Sequence, residues 1–357
     1  MAIKGADVFI VDESAHMAIS LKAEIAKTYP NVTSLKEDEP LLGVEPIDVA
    51  ISHSEYLFFA PRIRKTGQEA KMEIHSKFKD AVSSMKKGGS VIYNLPTGIG
   101  GNNETISLLE HITGLELGKG ISYFYYPLSK GYAPEIIGSF NGKVDDKLGK
   151  LLEVEKKMKK FASIPSAEII HAIKVLTQFS SLASILEVCK FAQDSATRND
   201  LIFTDYKDIF LDYMTNGLYD LRSLGTSVEG AGTMMYLVNG SIKGIEGYVK
   251  RLIDEIRSTL KKNELKASRT RVVLVWTQDS YEMRGDKADM LNSLVTKLRD
   301  YIGDVEVQGD GPGLDLFHND KTTIIVACSK SDYDKVVKNG KDSDVIIIKT
   351  NPLCEIL

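Results

Sequence analysis

The sequence predicts an α/β protein: two parallel-sheet domains joined by a long central helix and a helical middle domain. Three observations lead there. Short apolar runs that end at proline, glycine or an acid alternate with helical stretches at both ends of the chain, the pattern of strand–helix–strand units. Between them lies Pro165 to Ala192, which holds no glycine and no further proline. A polar, charged stretch, Lys261 to Thr270, then separates the helical part from a fresh α/β pattern. The predicted division is 1–160, 161–262 and 268–357.

The first domain opens on Ala6 to Asp12, an apolar run closed by an acid, followed by a helical stretch from His16 to Thr28. In a dinucleotide fold an acid at a strand end hydrogen-bonds the adenosine ribose, which makes Asp12 a candidate; an ordinary strand-end aspartate is the alternative. Only Met1 to Gly5 stand before this strand, so the phosphate-cradling G-x-G-x-x-G turn that opens such folds is missing. A sheet lacking that first strand has an edge where it would lie, and an open edge invites pairing. Glu55 to Pro61 is the next strand, a helix follows over Lys71 to Lys86, and Ser90 to Gly98 is a strand running into a Pro/Gly loop. Loops at strand C-terminal ends form the ligand edge of open α/β sheets, which puts Ala60, Pro61, Pro96 and Thr97 forward as cofactor-binding candidates. Gly101 to Asn103 reads as a helix start. Ile121 to Pro127 repeats the strand pattern, and Asn141 to Lys160 reads as a lysine-rich amphipathic helix.

The central stretch starts with Ser163 as cap and Pro165 where a helix start tolerates proline. Its 28 residues span roughly 40 Å as a helix. His171, Lys174, Gln178 and Ser181 form one narrow polar stripe; apolar residues cover the remainder. A helix apolar nearly all round is buried from several sides, so it is expected to join two halves and to pack against a second subunit. His171 and Lys174 are acid/base candidates from that stripe, against the reading that they are its solvated face. Residues 204–260 look helical, broken near Gly217 and between Gly225 and Gly232. The last domain holds strands over Arg271 to Trp276, Asp304 to Gln308, Thr322 to Cys328 and Asp344 to Thr350, with a helix over Lys287 to Tyr301.

Composition narrows the classes. The 357 residues are 43% apolar and 26% charged with a net charge of −4, so no nucleic-acid surface is indicated. No membrane span or signal peptide is apparent. Cys189, Cys328 and Cys354 are odd in number and far apart, the usage of reduced thiols in a cytoplasmic protein, and offer no metal framework.

In order, these pieces resemble the UDP-glucose/GDP-mannose (nucleotide-sugar) 6-dehydrogenase family, from residue 6 to about residue 335. Asn94 to Pro127 is similar to the family's strand, P-x-G-T-like loop, helix, "SGL-x-x-G" turn and strand ending in "SPE". Ile136 to Glu153 resembles the "iVGG-x-d" stretch, Ala167-Glu168 the start of the "AE-x-x-K" helix, and Asp279 to Val295 the "T-D-D-x-R-x-S" segment, with Arg284 on the arginine. The resemblance implies two Rossmann-like domains, a long helix that forms a homodimer core, and NAD-dependent oxidation of a sugar 6-hydroxyl to a carboxylate in two hydride transfers. It makes Arg284 a substrate-binding candidate, the alternative being a surface ion-pair cluster with Asp279, Glu282 and Asp286.

The sequence departs from the family at its chemical residues. Leu128 stands on the "SPE" glutamate, His171 on the "AE-x-x-K" lysine and Val175 on the asparagine that follows. The "GFGG-x-C-x-x-K-D" cysteine is expected at about residues 205–235, where the chain has none. Without a thiolate there is no thiohemiacetal to carry the second hydride loss. The expectation is a family-like protein that has lost the oxidation and binds a nucleotide or nucleotide sugar, or serves as a dimeric scaffold. The alternative is an NAD(P)-dependent oxidoreductase with altered catalytic residues. NAD is implied by the resemblance and counted against by the missing glycine turn; no metal is expected.

Overall fold

The computed structural model describes residues 1, 6–11, 43–63, 67–127, 135–153, 159–191, 209–228, 230, 232–277, 285–309, 322–339 and 345–351. They fall into two compact units, Met1–Pro61 with Gly67–Ala172, and Arg62–Thr66 with Ile173–Leu357. Each unit carries a Rossmann-like sheet, and one long helix runs from the first into the second.

In the first unit β1 (Phe9–Ile10) and β2 (Gly43–Val44) form a short parallel pair of their own. The helix expected over 16–28 lies outside the described residues. There follow α1 (Ile47–His53), β3 (Tyr56–Phe59), α2 (Gly67–Val82), β4 (Ser90–Tyr93), α3 (Gly101–Thr113), β5 (Ser122–Tyr125), β6 (Glu135–Ser139), α4 (Asp146–Leu151) and β7 (Lys159–Ser163). The main sheet runs β3-β4-β5-β6-β7, and β3 is its edge among the described residues. The first three strands are parallel, β6 is antiparallel to β5, and β7 is parallel to β6. The sheet is therefore mixed where a purely parallel one was expected.

The helix predicted over 141–160 is reduced to six residues. Asn141 and Gly142 take φ of 53° and 70°, a left-handed pair no helix continues through. Asp145 then caps α4 by accepting from Leu148 N at 2.8 Å. Lys159 to Ser163 alternate as a strand, and Phe161 packs against the core cluster of Ile92, Phe124, Ile137, Leu148 and Leu152. A charged sequence with sparse apolar residues fits period 3.6 and period 2 alike; this core decides between them. On the other sheet face Phe59 meets Phe78 edge-on at 5.0 Å and stacks on Tyr93 at 5.4 Å.

The long helix α5 (Ile164–Val188) starts where the sequence places it. Ser163 Oγ accepts from Ser166 N at 3.3 Å, and Pro165 falls among the first residues, whose N–H groups have no helical partner. A 3₁₀ turn, Cys189–Phe191, ends it. In the second unit come α6 (Leu211–Thr215), α7 (Leu218–Ser227), α8 (Thr233–Lys262), β8 (Thr270–Val275), α9 (Asp286–Arg299), β9 (Asp304–Gln308), β10 (Thr322–Ala327), α10 (Lys330–Asn339) and β11 (Val345–Lys349). The breaks at Gly217 and Gly232 fall where expected, at φ of 90° and 52°. α10 was not anticipated.

Small residues let α5 and α8 approach closely. Ser180 Oγ lies 3.3 Å from Ser241 Oγ, and a Cβ built on Gly244 would stand 2.9 Å from that of Ala183. α5 with its terminal turn is the one stretch, among the described residues, long and apolar enough to cross a membrane, where the sequence reading found none. Phe179, Leu182 and Leu186 are buried within the protein, whereas Ile169, Ile173 and Val188 are exposed. The second sheet is fully parallel, in the order β11-β10-β8-β9.

Candidate functional site

The loop after β4, at the ligand edge of the first sheet, is held by a carboxylate from α5. Glu168 is 4% exposed. Its Oε2 accepts from Gly100 N at 2.9 Å, and its Oε1 from Asn102 N at 2.9 Å and Asn102 Nδ2 at 2.6 Å. Asn102 also donates to Thr97 Oγ1 at 2.8 Å and accepts from the Tyr123 hydroxyl at 2.6 Å. α3 has no side-chain cap of its own at Gly100, whose φ is 77°. Free N–H groups at a helix start attract an anion; here the anion is the chain's own. Burial pushes the Tyr123 phenol well above its usual range, with Tyr93, Tyr125 and Glu168 adding to it. Tyr123 is thus a neutral donor that fixes Asn102.

Four of the candidates named from sequence follow strands at this edge. Ala60 and Pro61 follow β3 directly, both half-buried. Pro96 is buried in the β4 loop, and Thr97 joins the Glu168–Asn102 network. His171 and Lys174 lie three residues apart on α5, each half-buried. Asp12, Leu128 and Arg284 lie outside the described residues. Asp286, offered as part of a surface ion-pair cluster, is instead buried: it accepts from Tyr219 N at 2.8 Å at the start of α7 and faces Arg222 at 3.6 Å. Glu168 and Asn102 were not put forward as site residues. The signal was an acid in the first turns of an apolar helix, which has to meet donors if buried.

The second sheet places its switch point between β8 and β10, where open parallel sheets take ligands. Residues of α6 cover these ends. Leu211 N donates to Thr350 Oγ1 at 3.2 Å, Asp212 N to the Cys328 carbonyl at 3.0 Å, and Trp276 Nε1 to Asp212 Oδ1 at 2.9 Å. Lys287 pairs with the same Asp212 oxygen. Asp332, fully buried, accepts from Thr277 N at 3.0 Å and Ser329 Oγ at 2.6 Å.

Cys328 is not poised as a nucleophile. Burial, and then the carboxylates Asp332 and Asp212, push the Cys328 thiol far up, away from the thiolate that reacts. Cys189 is half-buried in the turn that ends α5. Among the described residues no three His, Cys, Asp or Glu side chains are grouped to hold a metal ion.

Two Rossmann-like sheets on one chain, with a long helix running from one into the other, define the fold. No family model matches the sequence and no curated protein matches it. Solved structures do. Across its whole length the chain is similar to UDP-D-ManNAc dehydrogenase from Pyrococcus horikoshii, covering 91% of that chain at 15% identity and a TM-score of 0.68. It is similar to UDP-glucose dehydrogenase from Pyrobaculum islandicum over 97% of this chain and 81% of that one, at 13% identity and TM-score 0.59. The UDP-N-acetyl-mannosamine dehydrogenase of Staphylococcus aureus matches over 98% and 94%, at 15% identity and TM-score 0.59. At these identities the likeness establishes the fold.

Proposed function

We propose that this chain is a nucleotide-sugar dehydrogenase-like protein that binds a nucleotide or nucleotide sugar as a soluble, cytoplasmic homodimer and no longer carries the oxidation to the acid. The observation that carries the reading is the interval where a nucleophilic cysteine is expected. Its described part forms α6, α7 and the start of α8, and the sequence has no cysteine between Cys189 and Cys328. Aldehyde capture therefore has no thiol there, and the second hydride loss has no covalent precursor.

The fit to NAD at the described loops is poor. The N–H groups at the start of α3, at the ligand edge of the first sheet, are spent on Glu168 and so are not open to an anionic ligand. Dimerisation is supported by α5, on which Ile169, Ile173 and Val188 are 48%, 58% and 63% exposed in the single chain. Ile169 and Ile173 lie one turn apart, so their exposed apolar side chains adjoin.

A thermal-shift panel with NAD, NADH, UDP-glucose, UDP-glucuronate, GDP-mannose and UDP tests the reading. A ligand selective for the folded state stabilises it by about 2.7 kcal/mol at a hundred times its Kd. Shifts with nucleotide sugars and none with NAD or NADH are expected. A shift with NAD would bring forward the alternative, an NAD(P)-dependent oxidoreductase using His171 or Lys174.

A further inference from the structure

A second polar cluster stands at the ligand edge of the first sheet, where β5 ends. Because β6 runs antiparallel to β5, its first residue, Glu135, comes to that end, and β7 sets Lys159 beside it in register. Lys159 Nζ lies 2.9 Å from Glu135 Oε2 and 2.6 Å from the Tyr126 hydroxyl, and 4.9 Å from the centre of the Tyr126 ring. The Tyr126 hydroxyl donates to the same Glu135 oxygen. The Lys159 side chain is 8% exposed while that of Glu135 is 38% exposed. The cluster thus has a buried base of support and one member that reaches solvent.

Stability alone is a weak reason for this arrangement. A buried ion pair is often no better than apolar residues of the same volume, because both charges lose water. Here the pair sits beside the apolar cluster of Phe124, Ile137 and Phe161, where an apolar substitute has room. What Lys159 and Tyr126 provide is a fixed carboxylate at the edge where an open α/β sheet takes its ligand. An ionised carboxylate is an acceptor only, so its complement is a group rich in hydroxyl donors. Two donors on one oxygen hold it in one orientation, which suits recognition of a sugar ring more than a diffuse charge.

We propose that Glu135 is a sugar-recognition residue, accepting a hydroxyl of the hexose of a nucleotide sugar, with Tyr126 and Lys159 as its positioning residues. The assignment rests on the nucleotide-sugar reading above and adds to it the residue that distinguishes sugar from bare nucleotide. Burial, and then Glu135, push the Tyr126 phenol well above its usual range, which keeps it a donor.

The test is calorimetric titration of the full chain with UDP-glucose and, separately, with UDP. Wild type is expected to prefer UDP-glucose. Glu135→Gln should lose about tenfold in UDP-glucose affinity, the scale of one hydrogen bond to a charged group, with UDP affinity unchanged. Tyr126→Phe leaves the core intact and should shift the UDP-glucose/UDP affinity ratio in the same direction, by less. A purely structural role would lower both affinities together or neither. If wild type binds neither ligand, the nucleotide-sugar reading fails and the assignment with it. If wild type prefers UDP-glucose and both variants keep that preference, only the assignment is overturned. A wild type that binds the two ligands equally also overturns it.

Discussion

Glu168→Ala is the perturbation the structure speaks to most directly. Removing the carboxylate takes the acceptor from Gly100 N, Asn102 N and one N–H of Asn102 Nδ2, whose other N–H keeps Thr97 Oγ1. Gly100 is exposed and finds water, whereas Asn102 is fully buried. A buried orphan costs about 1–3 kcal/mol, so the two Asn102 donors cost about 2–6 kcal/mol. Water entering the vacated space offsets part of this, and about 3 kcal/mol is the expected loss for the first unit. Glu168→Gln keeps one acceptor but turns an amide hydrogen toward the donors, and should lose about 2 kcal/mol. Trp276, the single tryptophan, lies in the second unit and its fluorescence does not report this change. The assay is therefore urea unfolding followed by hydrogen exchange at residues 97–113, with Trp276 fluorescence as the internal control. Added formate should partly restore protection in Glu168→Ala, since a small carboxylate meets the same donors. A loss below about 1 kcal/mol, with exchange at Asn102 unchanged, would refute the account of this loop.

Four further outcomes are expected. Gly240 has nothing within 4 Å of a built Cβ, whereas Gly244 meets Ala183 at 2.9 Å. Gly240→Ala should stabilise α8 by up to about 1 kcal/mol, and Gly244→Ala should destabilise by about 1 kcal/mol once overpacking outweighs propensity; equal effects in urea titrations would contradict the close α5–α8 approach. In the native protein Cys328 should resist iodoacetamide and label only on unfolding, as peptide mass spectrometry would show; rapid native labelling would mean that burial does not hold the thiol neutral. The Glu306 carboxyl is held below its usual range, first by the Arg271 hydrogen bond. Its folded pKa is depressed, so its contribution is present above about pH 4.3, the unfolded value, and is lost as pH falls through the folded pKa. Glu306→Gln should flatten the acid limb of a stability–pH curve, and an unchanged limb would count against the pairing. Ile173→Asp should turn a dimer into a monomer in light scattering, and a wild-type chain that is monomeric at every concentration would remove the α5 interface.

Much of the architecture was legible in the sequence because it is written in long or repeated signals. The central helix is an uninterrupted apolar stretch with its cap and proline in place, and the parallel strands end in proline, glycine or acid. What was not legible depends on partners distant in sequence. Residues 141–160 read as a helical, lysine-rich tract because only the packing of Phe161 against the cluster of Ile137, Leu148 and Leu152 selects a strand at its end. The start of α3 reads as an uncapped helix, since its acceptor, Glu168, is 66 residues away. For the same reason the cofactor-binding residues offered from sequence were those at strand ends. The carboxylates Glu168 and Glu135, which organise those ends, come from other elements, and nothing near them in sequence names the donors they meet.

The missing thiol and the covered strand ends of the second sheet trace to one segment. Leu211 and Met214 are fully buried, and the backbone of Leu211 and Asp212 is tied to Thr350 and Cys328. A loop that presents a nucleophile to a substrate has to leave room for the substrate, whereas this segment spends its polar groups on the ends of β8, β10 and β11. Chemistry removed by geometry is not restored by returning one side chain. Ser223→Cys places a thiol on α7, inside the interval where the family's cysteine is expected. If the argument holds, this variant with UDP-glucose and NAD forms NADH no faster than the enzyme-free blank. Formation above the blank that depends on the new thiol would show that the segment admits substrate and would overturn the proposed closure.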